Sequence, residues 1–195
     1  MTRVIRCVKA EMNLALTLSL GERSDSEQAI WRDAGADRYL LRFETSDMEL
    51  HRSIHPSLPG WPSDRLALSR SLKSLGYEAG SGVMVGLAGQ RFESLASDIE
   101  TFRSLDLDMV GIGPSISHPA SPLAAGEWVK PFPEGEQVPN TELMVYKVLA
   151  PTRPVCPEAN VSGATGRATI NRTRGRELGL MRGANIVMPN VTPPQ

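Results

Sequence analysis

Along this chain, short apolar runs alternate with longer stretches in which apolar residues recur every three to four positions. The first run, Leu14-Ala-Leu-Thr-Leu-Ser-Leu20, follows a helical tail over Met1–Met12 and reads as a strand. Gly21-Glu22 closes it. Ser24–Ala34 then predicts a helix, with Ser24 or Asp25 as N-cap and Glu27 near the first turn. Gly35 ends that helix. Tyr39-Leu40-Leu41 follows as a buried parallel strand that runs directly into the polar groups Arg42, Glu44 and Thr45.

The same unit repeats downstream. Asp64–Leu75 predicts an amphipathic helix with Leu66, Leu68, Leu72 and Leu75 apolar, and Val83-Met-Val85 a strand. Phe92–Ser104 predicts a helix and Met109-Val-Gly-Ile-Gly113 a buried strand. Thr141–Leu149 reads as a helix after Asn140, Ala159–Thr165 as a weak strand, Arg174–Met181 as a short helix and Ala184–Met188 as the last strand. Two connections break the rhythm. Ser46–Ser63 holds a short helix signalled by Leu50 and Ile54, and Pro114–Pro139 is loop-like and rich in Pro and Gly.

Six strands, each but the last followed by a helix, predict an α/β fold with a parallel sheet and right-handed crossovers. Such a set fits an open doubly wound sheet or most of a (β/α)8 barrel. No G-x-G-x-x-G stands between a strand and a helix, which argues against a dinucleotide-binding sheet, while the barrel reading lacks two units.

Composition narrows the class. The chain has 195 residues, 41% hydrophobic and 22% charged, with a net charge of -1, as expected for one globular domain over residues 1–195. Near-neutral charge argues against a nucleic-acid footprint, and no apolar run approaches the ~20 residues of a membrane span. No secretory h-region is visible near Met1, so cytoplasm is the default compartment. Cys7 and Cys156 lack metal spacing and read as incidental or buried thiols. His51, His55 and His118 share neither a helix face nor a metal spacing, and read as surface or capping residues. Trp31, Trp61 and Trp128 read as separate packing residues.

Candidate chemistry gathers after the strands, where barrel active sites are built. Arg42 and Glu44 at the end of one buried strand read either as a structural ion pair or as a site for ribose hydroxyls and a carboxylate. Gly80-Ser-Gly-Val-Met-Val-Gly-Leu-Ala-Gly-Gln90 surrounds another strand with glycine, which permits close approach of backbone or ligand.

Six runs, taken together, carry a resemblance. They are Ala15–Glu22, Ala34–Thr45, Leu50-His-Arg-Ser-Ile-His-Pro56, Met84-Val-Gly-Leu-Ala-Gly-Gln90, Asp108-Met-Val-Gly-Ile-Gly-Pro114 and Gly183-Ala-Asn-Ile-Val-Met-Pro-Asn190. In this order they resemble the radical S-adenosylmethionine enzymes of the biotin-synthase-like group, and within it the FeFe-hydrogenase maturases of HydE type. Methylornithine synthases and biotin-synthase-like enzymes are the alternatives within that group, and an inactive truncated remnant is a third reading. The resemblance implies a partial (β/α)8 barrel of about six units, its strands three to eight.

It also implies S-adenosylmethionine as cofactor, and a 5′-deoxyadenosyl radical acting on a small-molecule substrate, with hydrogenase maturation proteins as partners. The family's 4Fe-4S cluster is held by a C-x-x-x-C-x-x-C loop that this chain lacks, so no metal ligand is expected here. Carried residue by residue, Glu44 matches the acidic residue that holds the ribose, and Arg65 the arginine that pairs with the methionyl carboxylate. Met84 and Met188 match residues lining the same cavity. Arg42 and Arg38 match interior arginines, Arg38 near the substrate carboxylate, and Thr165 matches one of a Thr-Thr pair near the substrate. Ala88 stands where the family commonly has proline, and Phe43 where it has histidine.

Overall fold

The computed structural model describes residues 1–55, 63–124, 135–163 and 174–187. Within them the order is α1 (Thr2–Glu11), β1 (Thr17–Leu18), α2 (Asp25–Asp33), β2 (Arg38–Leu40), α3 (Met48–Ile54) and α4 (Arg65–Ser74). Then come β3 (Glu78–Val85), α5 (Phe92–Ser104), β4 (Met109–Pro114), α6 (Glu142–Val155), β5 (Asn160–Gly163), α7 (Gly175–Leu180) and β6 (Ile186–Val187). The expected alternation holds throughout. Among the described residues, no helix is long and apolar enough to cross a membrane.

The helices start where their side chains dictate. Ser24 and Glu27 form a reciprocal capping box on α2, and Asp47, Asp64 and Thr141 each accept a backbone N–H at the starts of α3, α4 and α6. The sheet decides the architecture. Six strands lie in the order β1-β2-β3-β4-β5-β6, every pair parallel. Right-handed crossovers in an order without reversal put all helices on one face, which is a barrel wall, whereas a doubly wound sheet reverses and is covered on both faces. The fold is therefore part of a (β/α)8-type barrel.

Burial along β2 and its extension alternates with period two. Tyr39, Leu41 and Phe43 are buried on the helical side, while Arg38, Leu40, Arg42 and Glu44 are only half-buried on the other. Phe43 packs on Phe102 of α5 at 5.6 Å between ring centroids, and Tyr39 on Tyr77 at 5.7 Å. These aromatics, with Leu72, Val83, Val85, Ile112, Leu149 and Val161, form the layer between sheet and helices.

Several bounds differ from the sequence expectation. The first strand pairs only at Thr17–Leu18, not over Leu14–Leu20. β3 begins at Glu78, five residues before the expected Val83, because its glycines are required by close packing. A Cβ on Gly80 would lie 2.7 Å from the Met109 side chain, and one on Gly82 2.2 Å from the Gly111 carbonyl oxygen. α6 continues past Leu149 through Pro151 and Pro154, and the Thr152 hydroxyl donates to the Val148 carbonyl at 2.8 Å.

Candidate active site

The polar groups expected after the strands converge at the C-terminal ends of β1, β2 and β3. The regular β2–β3 ladder ends at Leu41, whose N–H donates to Gly80 O at 2.9 Å. Two residues on, Phe43 should reach Gly82 O. Instead Glu44 does so, at 2.9 Å, and Phe43 N–H turns to the Ser81 hydroxyl at 3.2 Å. Ser81 in turn donates to Leu41 O at 2.8 Å. One extra residue has thus entered the strand, a bulge stitched by a serine.

The bulge puts Glu44 in the left-handed region at φ 66, unusual for a residue with a side chain. Its neighbour Thr45 is buried, and the following Ser46 is tied by N–H and hydroxyl to Asp98 of α5, at 2.5 and 2.7 Å. Asp98 is fully buried, and burial pushes its carboxyl up to about 6, against the hydrogen bonds from Ser46. Strand, bulge and tether together fix where the Glu44 carboxylate points.

That carboxylate lies 3.1 Å from Arg42 Nη2, which also donates to Val83 O at 2.7 Å. Glu44 Oε2 is buried without a hydrogen bond of proper geometry. Burial pushes the Glu44 carboxyl up more than the charges of Arg42 and Arg65 pull it down. A carboxylate left short of donors in this way is fitted to accept hydroxyl hydrogens from a ligand.

Arg65, the first residue of α4, donates from Nη1 to Arg42 O at 2.7 Å and from Nε to Glu22 Oε1 at 2.8 Å. Glu22 follows Gly21, whose φ of 73 turns the chain out of β1 and whose carbonyl accepts from the Tyr39 hydroxyl at 2.9 Å. Ser63 donates to the same Glu22 oxygen at 2.6 Å. Burial pushes the Glu22 carboxyl up, but bonds from Arg65 and Ser63 and the Arg65 charge outweigh it and hold Glu22 low.

Of the sequence candidates, Glu44, Arg42 and Arg65 are brought together. Met84 joins them through its backbone N–H, which donates to Glu44 O at 3.0 Å. Arg38 does not join them. It sits at the start of β2, paired with Glu78, four residues and about 13 Å along the strand from Arg42. Thr165 and Met188 lie outside the described residues.

His118 is exposed and accepts from the Ala120 N–H at 3.2 Å, in keeping with the surface or capping role expected of the histidines, whereas His51 and His55 depart from it. His51 is 3% exposed, and its ring lies 4.7 Å from that of His55. Both Nε2 atoms are buried and have no hydrogen-bond partner among the described residues. Burial, then the charge of Arg65, lowers both imidazoles, His55 to about 4, so both are neutral at pH 7. Sequence reading also missed Asp98, although its spacing from Leu95 and Phe102 places a carboxylate on the apolar face of α5.

The arrangement suits a ligand carrying neighbouring hydroxyls at one end and an anion at the other. It does not suit an iron–sulfur cluster. The sequence has two cysteines, Cys7 exposed and Cys156 buried, and no group of metal-binding side chains occurs among the described residues.

No protein-family profile matches the chain. The chain is 42% identical over 183 residues to the [FeFe] hydrogenase maturase subunit HydE of Thermotoga maritima, covering 94% of this chain and 49% of that one. It is 31% identical over 156 residues to the biotin synthase of Streptomyces coelicolor, covering 79% of this chain and 34% of that one. Among solved structures, methylornithine synthase matches with a TM-score of 0.73 and 26% identity, covering 95% of this chain and 50% of that one. The chain thus spans about half the length of the HydE protein and of methylornithine synthase, and about a third of the biotin synthase. With six consecutive parallel strands of the shared barrel and these relatives, the chain belongs to the radical S-adenosylmethionine enzyme family, in its biotin-synthase-like group.

Proposed function

We propose that this chain forms the S-adenosylmethionine-binding wall of a radical enzyme of the hydrogenase-maturase kind, acting on a small molecule inside the barrel together with other maturation proteins. The observation that carries this reading is the convergence of Glu44, Arg42 and Arg65 on one end of the sheet. Glu44 would take the two ribose hydroxyls, and Arg65 the methionyl carboxylate, with Met84 beside the adenosine; Met188, given the same cavity by the resemblance, lies outside the described residues. S-adenosylmethionine supplies hydrogen-abstracting radical chemistry once an electron reaches it. The residues present fit this nucleoside, whereas they fit no cluster, and no step through a cluster is assigned to this chain.

What the chain contributes is binding, orientation and exclusion of water. The left-handed backbone at Glu44 and the guanidinium anchored on two sides set both ends of the ligand before it arrives. Titration of the chain with S-adenosylmethionine tests this. Glu44→Gln and Arg65→Ala should each weaken binding by roughly 10- to 150-fold, the loss expected for one charge-assisted hydrogen bond. Unchanged affinity in both variants would refute the assignment.

A further inference from the structure

Arg65 spans two elements before it meets any ligand, and one of its two partners is a charge that the ligand itself does not require. Nε donates to Glu22 at 2.8 Å and Nη1 to the Arg42 carbonyl at 2.7 Å, while Nη2 makes no hydrogen bond among the described residues. Glu22 is itself held, accepting from the Ser63 hydroxyl at 2.6 Å just ahead of α4. Both members of the pair are largely buried, with side chains 19% and 16% exposed. An arginine side chain released from such a clamp regains several rotamers, most of which carry its fork away from the end of β2.

We propose that Glu22 is the positioning residue that aims Arg65 at the amino-acid end of the bound nucleoside, and so sets selectivity for ligands that carry a carboxylate there. This rests on the reading of the site as an S-adenosylmethionine pocket. Glu22 touches no part of the ligand in this scheme. It acts through Arg65, by occupying Nε and leaving Nη2 for an incoming oxygen. The Glu22 charge also keeps a cation near two neutral imidazoles, the buried His51 and the half-buried His55, without leaving that cation unpaired.

The test measures affinities of S-adenosylmethionine and 5′-methylthioadenosine, which shares adenine, ribose and thioether sulfur but lacks the amino-acid end. Wild type, Glu22→Ala, Arg65→Ala and the double variant are compared, with Glu22→Gln as a milder change of the same shape should Glu22→Ala fail to fold. Glu22→Ala should weaken S-adenosylmethionine by about tenfold or more and leave 5′-methylthioadenosine within about twofold. Glu22→Gln, still an acceptor, should fall between. In the Arg65→Ala background the Glu22 change should add nothing, because its effect runs through Arg65. Equal weakening of both ligands, or an additive double variant, would overturn the positioning role. The additive result would also be the signature of a direct pull on the ligand's positive sulfur. A wild-type chain that binds neither nucleoside would overturn the reading of the pocket itself.

Discussion

Replacing Asp98 by Asn tests the tether that holds the Glu44 bulge, and its size follows from the structure. Asp98 is 0% exposed and accepts two hydrogen bonds from Ser46 at Oδ1, while its buried Oδ2 has no geometrically sound hydrogen bond among the described residues. Burial raises its carboxyl from 3.8 to about 6. A folded value above the unfolded one means that the contribution is present at low pH and is lost as pH rises through about 6. The full difference of about two units corresponds to roughly 3 kcal/mol of cost at neutral pH. Asn keeps an acceptor for Ser46 and carries no charge. The stability of Asp98→Asn relative to wild type should therefore climb by roughly 2 kcal/mol between about pH 4.5 and 7.5. Urea denaturation of both proteins across that range reads the difference directly, because contributions from other groups cancel. Asp98→Ala, which leaves the Ser46 N–H and hydroxyl without their acceptor, should instead lose about 1–3 kcal/mol at the lower pH. A difference between Asn and wild type that is flat or falls with pH would refute the reasoning.

Three other outcomes follow from the same geometry. Gly82→Ala should destabilise the fold by about 3 kcal/mol or more in denaturant titrations, since its Cβ would meet the Gly111 carbonyl oxygen at 2.2 Å. His55, neutral with a lowered value of about 4, should make the protein lose stability as pH falls from about 6.5 toward 4. His55→Gln should give a shallower profile in thermal melts over that window. Anaerobic reconstitution with iron and sulfide should leave well under one 4Fe-4S cluster per chain, by iron assay, given only Cys7 and Cys156 as thiolate donors.

The alternation of strands and helices was legible because apolar runs and capping residues are local signals, and the Glu44 neighbourhood because a charge directly after a buried run is costly unless used. β3 was read short because glycine carries no strand preference. Its place in the sheet comes from the neighbour that crowds Gly80 and Gly82, which a single segment does not reveal. α6 runs past its expected end because packing of Val145, Val148, Leu149 and Thr152 outweighs the missing N–H of Pro151. The partner of Arg65 is Glu22, far back in the chain after β1, and only the barrel brings them together. His51 and His55 lacked metal spacing and so read as peripheral. Their desolvation and their exposure to the Arg65 charge come from tertiary neighbours that sequence spacing does not reveal.

The central claim is that the ends of β1, β2 and β3 hold S-adenosylmethionine between Glu44 and Arg65. A crystal structure of the chain with S-adenosylmethionine tests it most directly. The account predicts both ribose hydroxyls within hydrogen-bond distance of Glu44 and the methionyl carboxylate on Arg65 Nη2, with Glu22 still bound to Nε. A nucleoside bound elsewhere on the protein, or one whose carboxylate ignores Arg65, would contradict it.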